Sequence, residues 1–449
     1  MNLKVTKVLI AEIETLIQNN QEKEITKKLG KLFPQDIAEI ISLLDFKNAK
    51  YLFQLFEKIH ADILIELEDN LKERLLANLS SKKIAENVIE NLETDDATDL
   101  IKDMPSHIQA EVLSHIENKE YVENIVDLLS YEDQSAGALM AKELIKVKKT
   151  WSVLRCLGEM RNQAKDLDQV YTIYVVDNHD LLIGTVSLKK LLLSPEKTFI
   201  EKIYNNNIIA VNTKTTDEEV VSIMNKYDLV VLPVINEKGQ LVGRITIDDI
   251  IDLIKEEAEK DYQIASGITE NVESRDNIFT LIKARIPWLL IGLVGGVIGA
   301  KIVGFFLKNE DNLELAFIPL IAAMAGNIGI QSAAIVVQEL ASNKNIGNWS
   351  KKIFKELTIA SINGLICGIL IFFFCSFFYE STDTYFPLRM SISLVSVMIY
   401  AALFGTFIPL FFHRININPA LATGPFITTM NDVVGLFIYF LICNYLFIQ

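Results

Sequence analysis

The chain has 449 residues, too many for one hydrophobic core, so two or more domains are expected. Half of it is hydrophobic, 22% is charged and the mean hydropathy is +0.27, which fits a soluble part joined to a membrane part better than either alone. From Arg285 onward 9 Lys+Arg meet 8 Asp+Glu, leaving 34 against 50 before that point, and so acidic a first part argues against nucleic acid or anionic lipid as its partner and suits a cation-collecting surface.

The N-terminal stretch turns charged and helical at once and lacks the apolar core and cleavage site of a signal peptide. The soluble part is therefore expected in the cytoplasm. Up to about Tyr131, apolar residues recur at three- and four-residue spacing. A short motif returns, Phe33-Pro34-Gln35-Asp36-Ile37-Ala38-Glu39-Ile40 and then Thr94-Asp95-Asp96-Ala97-Thr98-Asp99-Leu100-Ile101. Each reads as a helix start with a capping acid before an apolar stripe, and paired helices at loose intervals predict an acidic α-superhelix over residues 1–131.

Over residues 132–254 the period changes to β–α–β. Tyr171–Asp177 leads to Leu181–Ser187, and Leu229–Ile235 leads likewise to Leu241–Thr246, each second strand running into a helix at Leu188 or Ile247. This unit occurs twice, about sixty residues apart, and resembles a tandem of CBS domains. The resemblance implies an adenine nucleotide, ATP or another, in the cleft between repeats. Thr246 and Asp249 match the family's hydroxyl-and-acid signature, while the first repeat has Ser187 but Lys190 where the acid would stand. The plainer reading of Thr246 is a helix N-cap. Next come two acidic rows on one helix, Asp248, Asp252 and Glu256 at i, i+4 and i+8, and Asp249 with Glu257, followed by Glu259. Such rows repel unless a cation lies between them, although a solvated helix face is the usual explanation.

Residues 255–284 are read as a connecting helix and 285–449 as a five-span membrane domain. The spans run roughly Trp288–Leu307, Leu315–Leu340, Leu357–Phe378, Ile392–Phe412 and Leu421–Ile448. Lys344, Lys351, Lys352, Lys355 and Arg414 fall on one side with Lys283 and Arg285. Glu310, Asp311, Glu314, Glu380 and Asp383 fall on the other, opposed only by Lys308 and Arg389. The positive-inside rule then puts the N-terminus inside and the C-terminus outside. An acid inside a span is costly and marks function, and Asp432 is the one acid of span five. It follows Gly424-Pro425, where the helix is expected to weaken and free its carbonyls. Asn327 and Gln331, at i and i+4 of span two, and Thr428 with Thr429 offer neutral oxygens; helix packing is the competing reading for the two amides. A path for an ion that sheds its waters reluctantly would keep those waters and use few carboxylates.

No catalytic set is visible: His60, His107, His115, His179 and His413 are scattered, and there is no GxSxG, HExxH or P-loop. Cys156, Cys367, Cys375 and Cys443 make no metal spacing. Without a P-loop, any movement of a 2+ ion through such spans would run down a gradient, which an interior-negative potential favours by about 4–5 kcal/mol per 100 mV.

Four further stretches are Ser135–Met140, Arg285–Leu289, Ala325–Ser332 and Asn418–Thr429 with Asp432. With the acidic helical domain, the CBS pair and the five spans, they make the whole chain resemble the MgtE family of magnesium channels and transporters. That resemblance implies a homodimer in the cell membrane, a pore between subunits, and cytoplasmic domains that close it when internal Mg2+ is high. Ions would bridge Asp36, Glu39, Asp95, Asp96 and Asp99 to Asp248, Asp249, Asp252, Glu256, Glu257 and Glu259, holding the 256–267 helix against the pore mouth. Asn418 stands where many family members carry Asp, and Lys301 lies within span one. The alternatives are a CBS-regulated transporter of Co2+ or Mn2+, a proton- or sodium-coupled secondary transporter, and a nucleotide-sensing scaffold without transport.

Overall fold

The computed structural model describes residues 5–164, 167, 169–269, 272, 276–306, 313–341, 349–379 and 384–445. Lys308, Glu310, Asp311, Lys344, Glu380 and Asp383 of the charge argument, and the predicted span ends at Leu307 and Ile448, lie outside the described residues. The chain divides into two compact units, Met1–Leu253 and Ile254–Gln449.

In the first unit, short helices from Lys7–Gln18 to Lys119–Leu128 pack on neighbours close in sequence, as a superhelical stack does. The helix Pro34–Leu43 shows the logic. Pro34 sits at the first position, where its missing N–H costs nothing, and Asp36 accepts from the Phe33 N–H at 3.4 Å. Ile37, Ala38, Ile40 and Ile41 fill the buried face. Ten residues alone would not hold a helix in water, and about 1.5–3 kcal/mol for each large apolar side chain buried supplies what propensity does not. The second motif copy begins the helix Thr94–Lys102, but its capping differs from the expectation. Glu93 occupies the N-cap with its carboxylate turned elsewhere, and Asp95 accepts from the adjacent Asp96 N–H.

The β–α–β repeats form two three-stranded sheets of one topology. In the first, β1 (Ile145–Lys148) runs parallel to β2 (Ile173–Val176), which pairs antiparallel with β3 (Leu182–Val186). β4 (Val211–Asn212), β5 (Val231–Ile235) and β6 (Leu241–Thr246) repeat the pattern. The two β-turns meet reciprocally, Leu182 donating to the Gly239 carbonyl at 3.1 Å and Leu241 to that of Asp180 at 3.2 Å, so the repeats are related by an approximate two-fold. The helices Leu188–Leu193 and Ile247–Ala265 begin where the apolar strands end.

The second unit holds five long apolar helices, Ile278–Phe306, Ile318–Ala341, Trp349–Phe378, Phe386–Arg414 and Gly424–Tyr445. All five are long and apolar enough to cross a membrane. Span one starts ten residues before the predicted Trp288, because a hydropathy window trims the turns that carry Lys283 and Arg285. Span four lies among spans two, three and five. Glycines set the closest approaches: a methyl added at Gly405 would collide with the Gly329 carbonyl, and one at Gly295 with Thr429. The expected weak point at Gly424-Pro425 is corrected. The break lies before it, in the short turn Pro419–Ala422, and Pro425 sits in the first turn of a regular helix that carries Asp432.

Candidate functional site

Thr94, 0% exposed, joins the helical stack to the first CBS repeat. Its N–H and Oγ1 donate to Glu143 at 3.2 and 2.8 Å, and its Oγ1 accepts from the Lys142 N–H at 2.8 Å. Beside it Glu93 receives both of its oxygens' bonds from Arg244 Nη2, at 2.8 and 2.7 Å. Arg244 interrupts the apolar strand β6 and is 4% exposed, so its charge needs that carboxylate. Replacing Glu93 by Ala strands a buried cation and is expected to cost this unit about 3–5 kcal/mol, read as a lower urea midpoint, with Glu93→Gln losing less. An unchanged midpoint for both variants rules out the clasp.

Next to this clasp the acids of two domains crowd together. Burial pushes Asp95 well up from the usual carboxylate range, with the charges of Asp249 and Asp96 adding to it. Asp96 is pushed up to about 7 by burial first and then by Asp249, Asp99, Glu93 and Asp248. Asp249 is raised too, chiefly by burial, although it accepts from Thr246 N–H at 3.1 Å and Oγ1 at 2.5 Å. The fold thus brings Asp95, Asp96 and Asp99 to Asp248 and Asp249. Asp252, Glu256, Glu257 and Glu259 continue, exposed, along the helix Ile247–Ala265. Asp36 caps its own helix and Glu39 is exposed on it; that helix packs on Phe46–Leu55 and His60–Ile65. Among the described residues no three acids converge at ligating distance.

Arg244 also lines a cleft with Gln169, Tyr171, Thr172, Tyr174 and Val231. Its guanidinium lies 5.5 Å from the Tyr171 ring centre, and its Nε and the Tyr174 hydroxyl are buried without a partner among the described residues. Thr246 and Asp249, the residues of the nucleotide signature, are engaged with each other, and Thr246 occupies the position before the helix.

In the membrane unit Asp432 is half-buried on span five, one turn beyond Thr428, whose hydroxyl donates to the Gly424 and Pro425 carbonyls at 3.2 and 3.1 Å. Asn327 and Gln331 are exposed on span two, so they do not pack within the chain. Near the start of span five, Asn418 Nδ2 donates to Asp261 at 2.9 Å. The turn at Gly267, with φ +83°, lies so close to Pro425 that a methyl there would collide with its ring. Gly424, at φ +45°, lies so close to the Ala265 carbonyl that a methyl there would collide with it.

Sequence reasoning missed Glu93, Arg244, Glu143 and Asn431. An arginine inside the apolar run Leu241–Thr246 was the available signal, since a buried guanidinium implies a carboxylate somewhere.

Residues 318–442 match the family profile described as a divalent cation transporter, residues 32–134 the MgtE intracellular N domain, and residues 136–196 and 200–256 the CBS domain. The chain is 32% identical to the magnesium transporter MgtE of Enterococcus faecalis over 70% of each chain. It is 33% identical to that of Thermus thermophilus over 69% of each. A solved structure of the cytosolic domain of the Mg2+ channel MgtE in complex with ATP is similar at 28% identity and a TM-score of 0.51, over 54% of this chain and 99% of that one. With an acidic helical domain, a CBS pair and five apolar helices in the same order, the chain belongs to the MgtE family of magnesium transporters.

Proposed function

We propose that two copies of the chain form a magnesium-selective channel that admits Mg2+ down its electrochemical gradient and closes when internal Mg2+ collects at its acidic domains. The observation that carries the gating is the crowd of Asp95, Asp96 and Asp249, drawn from two domains and raised in pKa by burial and mutual repulsion. Ionised, these groups push the domains apart; a divalent cation among them offsets both the repulsion and the lost hydration. Asp99, Asp248, Asp252, Glu256, Glu257 and Glu259 extend this field, and Asp36 and Glu39 add to the domain's acidity. Several ions acting together would make closure steep.

For conduction, the exposed amides of Asn327 and Gln331 are poorly suited to lipid and well suited to water or a second copy. With Thr428 and one Asp432 from each subunit they would line a path for a hydrated ion. The gate would be the end of the helix Ile247–Ala265, whose Asp261 meets Asn418 and whose following turn meets Pro425. The helical and CBS domains would face the cytoplasm, with Lys351, Lys352, Lys355 and Arg414 at the inner surface and the C-terminus outside. Since a similar cytosolic domain was solved with ATP, an adenine nucleotide is proposed for the cleft of Tyr171, Tyr174 and Arg244, with Thr246 and Asp249 at its edge.

Magnesium uptake into proteoliposomes, with internal Mg2+ stepped from low to high, tests this. Flux at low internal Mg2+ that stops at high is expected. Flux that ignores internal Mg2+ removes the gating; flux that needs a proton or sodium gradient means secondary transport; equal flux of Co2+ or Mn2+ removes the selectivity.

A further inference from the structure

Asn431 precedes Asp432 and is 0% exposed, its amide turned into the helix bundle. Its Nδ2 donates to the Ala325 carbonyl of span two at 3.1 Å, and its Oδ1 is buried without a partner among the described residues. The amide lies so close to Gly329 that a methyl there would collide with it. Gly329 is in turn pressed by Gly405 of span four. One turn away, a methyl at Gly326 would touch Thr428 at 3.6 Å. Span five thus meets span two through Thr428 and Asn431, against Gly326, Ala325 and Gly329.

An apolar side chain of similar size would fill this space without leaving an oxygen unsatisfied. What the amide adds is direction, because a hydrogen bond to one carbonyl fixes the rotation of span five about its axis where packing alone allows slippage. Successive helix residues stand about 100° apart, so holding residue 431 toward span two sets where residue 432 points. We propose that Asn431 is the positioning residue for Asp432, and that its bond to Ala325 sets the ion affinity and divalent-cation selectivity of the path. This rests on the reading of Asp432 as the ion site.

The test measures Mg2+ and Co2+ uptake by full-length protein in proteoliposomes, with the thermal melting of each variant. Asn431→Ala is expected to insert and melt close to the native chain, to raise half-saturating Mg2+ roughly tenfold, and to lose most of the preference for Mg2+ over Co2+. Gly329→Ala, whose methyl would displace the amide and also meet Ile427 Cγ2 at 2.8 Å, should do the same and, where it melts like the native chain, decides the matter if Asn431→Ala does not fold. Gly299→Ala is the control, since its methyl meets only Leu436 at 3.7 Å, and should change neither quantity. Unchanged half-saturation and selectivity in a folded Asn431→Ala, where Asp432→Asn abolishes flux, overturns the positioning role. An Asp432→Asn channel with native flux overturns the ion site itself, and the positioning role with it.

Discussion

Asp432→Ala is expected to reduce magnesium flux about a hundredfold or more while leaving the protein folded and inserted. A hydrogen bond to a charged group is worth about 1.5–3 kcal/mol, and a pore shared by two copies, as proposed, would lose two, so the ion's path would rise by roughly 3–6 kcal/mol, or two to four powers of ten. Removing a half-buried carboxylate from a membrane helix also relieves a solvation cost, so stability should hold or improve. That combination separates an ion site from a structural one, where activity and stability fall together. Asp432→Asn keeps the shape and removes the charge, and should lie nearer to Ala than to the native chain. The measurement is uptake followed by a magnesium-sensitive dye inside liposomes; flux within about threefold of native would remove Asp432 from the path.

The second large effect lies in the acid crowd. Under the proposed gating, with Asp95→Asn and Asp96→Asn together, flux should persist at internal Mg2+ that would shut the native chain, because two of the carboxylates proposed to bind the ion are gone. Closure at the native Mg2+ concentration in this double variant sinks the sensor assignment. The native crowd should also respond to protons when divalent ions are withheld. Asp96 rises from 3.8 to about 7 where the domains meet, so the docked arrangement keeps a proton that the separated one releases. Docking is then most favoured at low pH, weakens as Asp96 gives up its proton between about 4 and 7, and levels off above. Slower proteolysis at acid pH in the native chain, and its absence in the double variant, is the expected pair of results.

The five spans were legible because twenty apolar residues in a row have few other uses, and the CBS repeats because alternation and the glycine strands recur at a fixed interval. The acids at 95, 96, 248 and 249 were legible as charge, and the family resemblance joined them. What joins them in space was not. Glu93 and Arg244 are 151 residues apart, and only the fold decides which of the chain's many acids reaches a buried arginine. Asn431 was hidden for another reason: one amide beside a conspicuous aspartate carries no periodic signal, and its meaning lies in Gly329 on another helix. The Gly424-Pro425 reading failed on position, since the same dipeptide that breaks a helix from inside opens one from its first turn.

The near two-fold of the CBS pair has an electrical consequence. Ser187 starts one repeat's helix and Thr246 the other's, in equivalent places, yet Lys189 and Lys190 follow the first and Asp248 and Asp249 the second. One scaffold, used twice, ends in opposite poles. Equivalent places in the repeated scaffold thus carry opposite charge, so under the proposed gating the second helix start would attract a cation where the first would repel it.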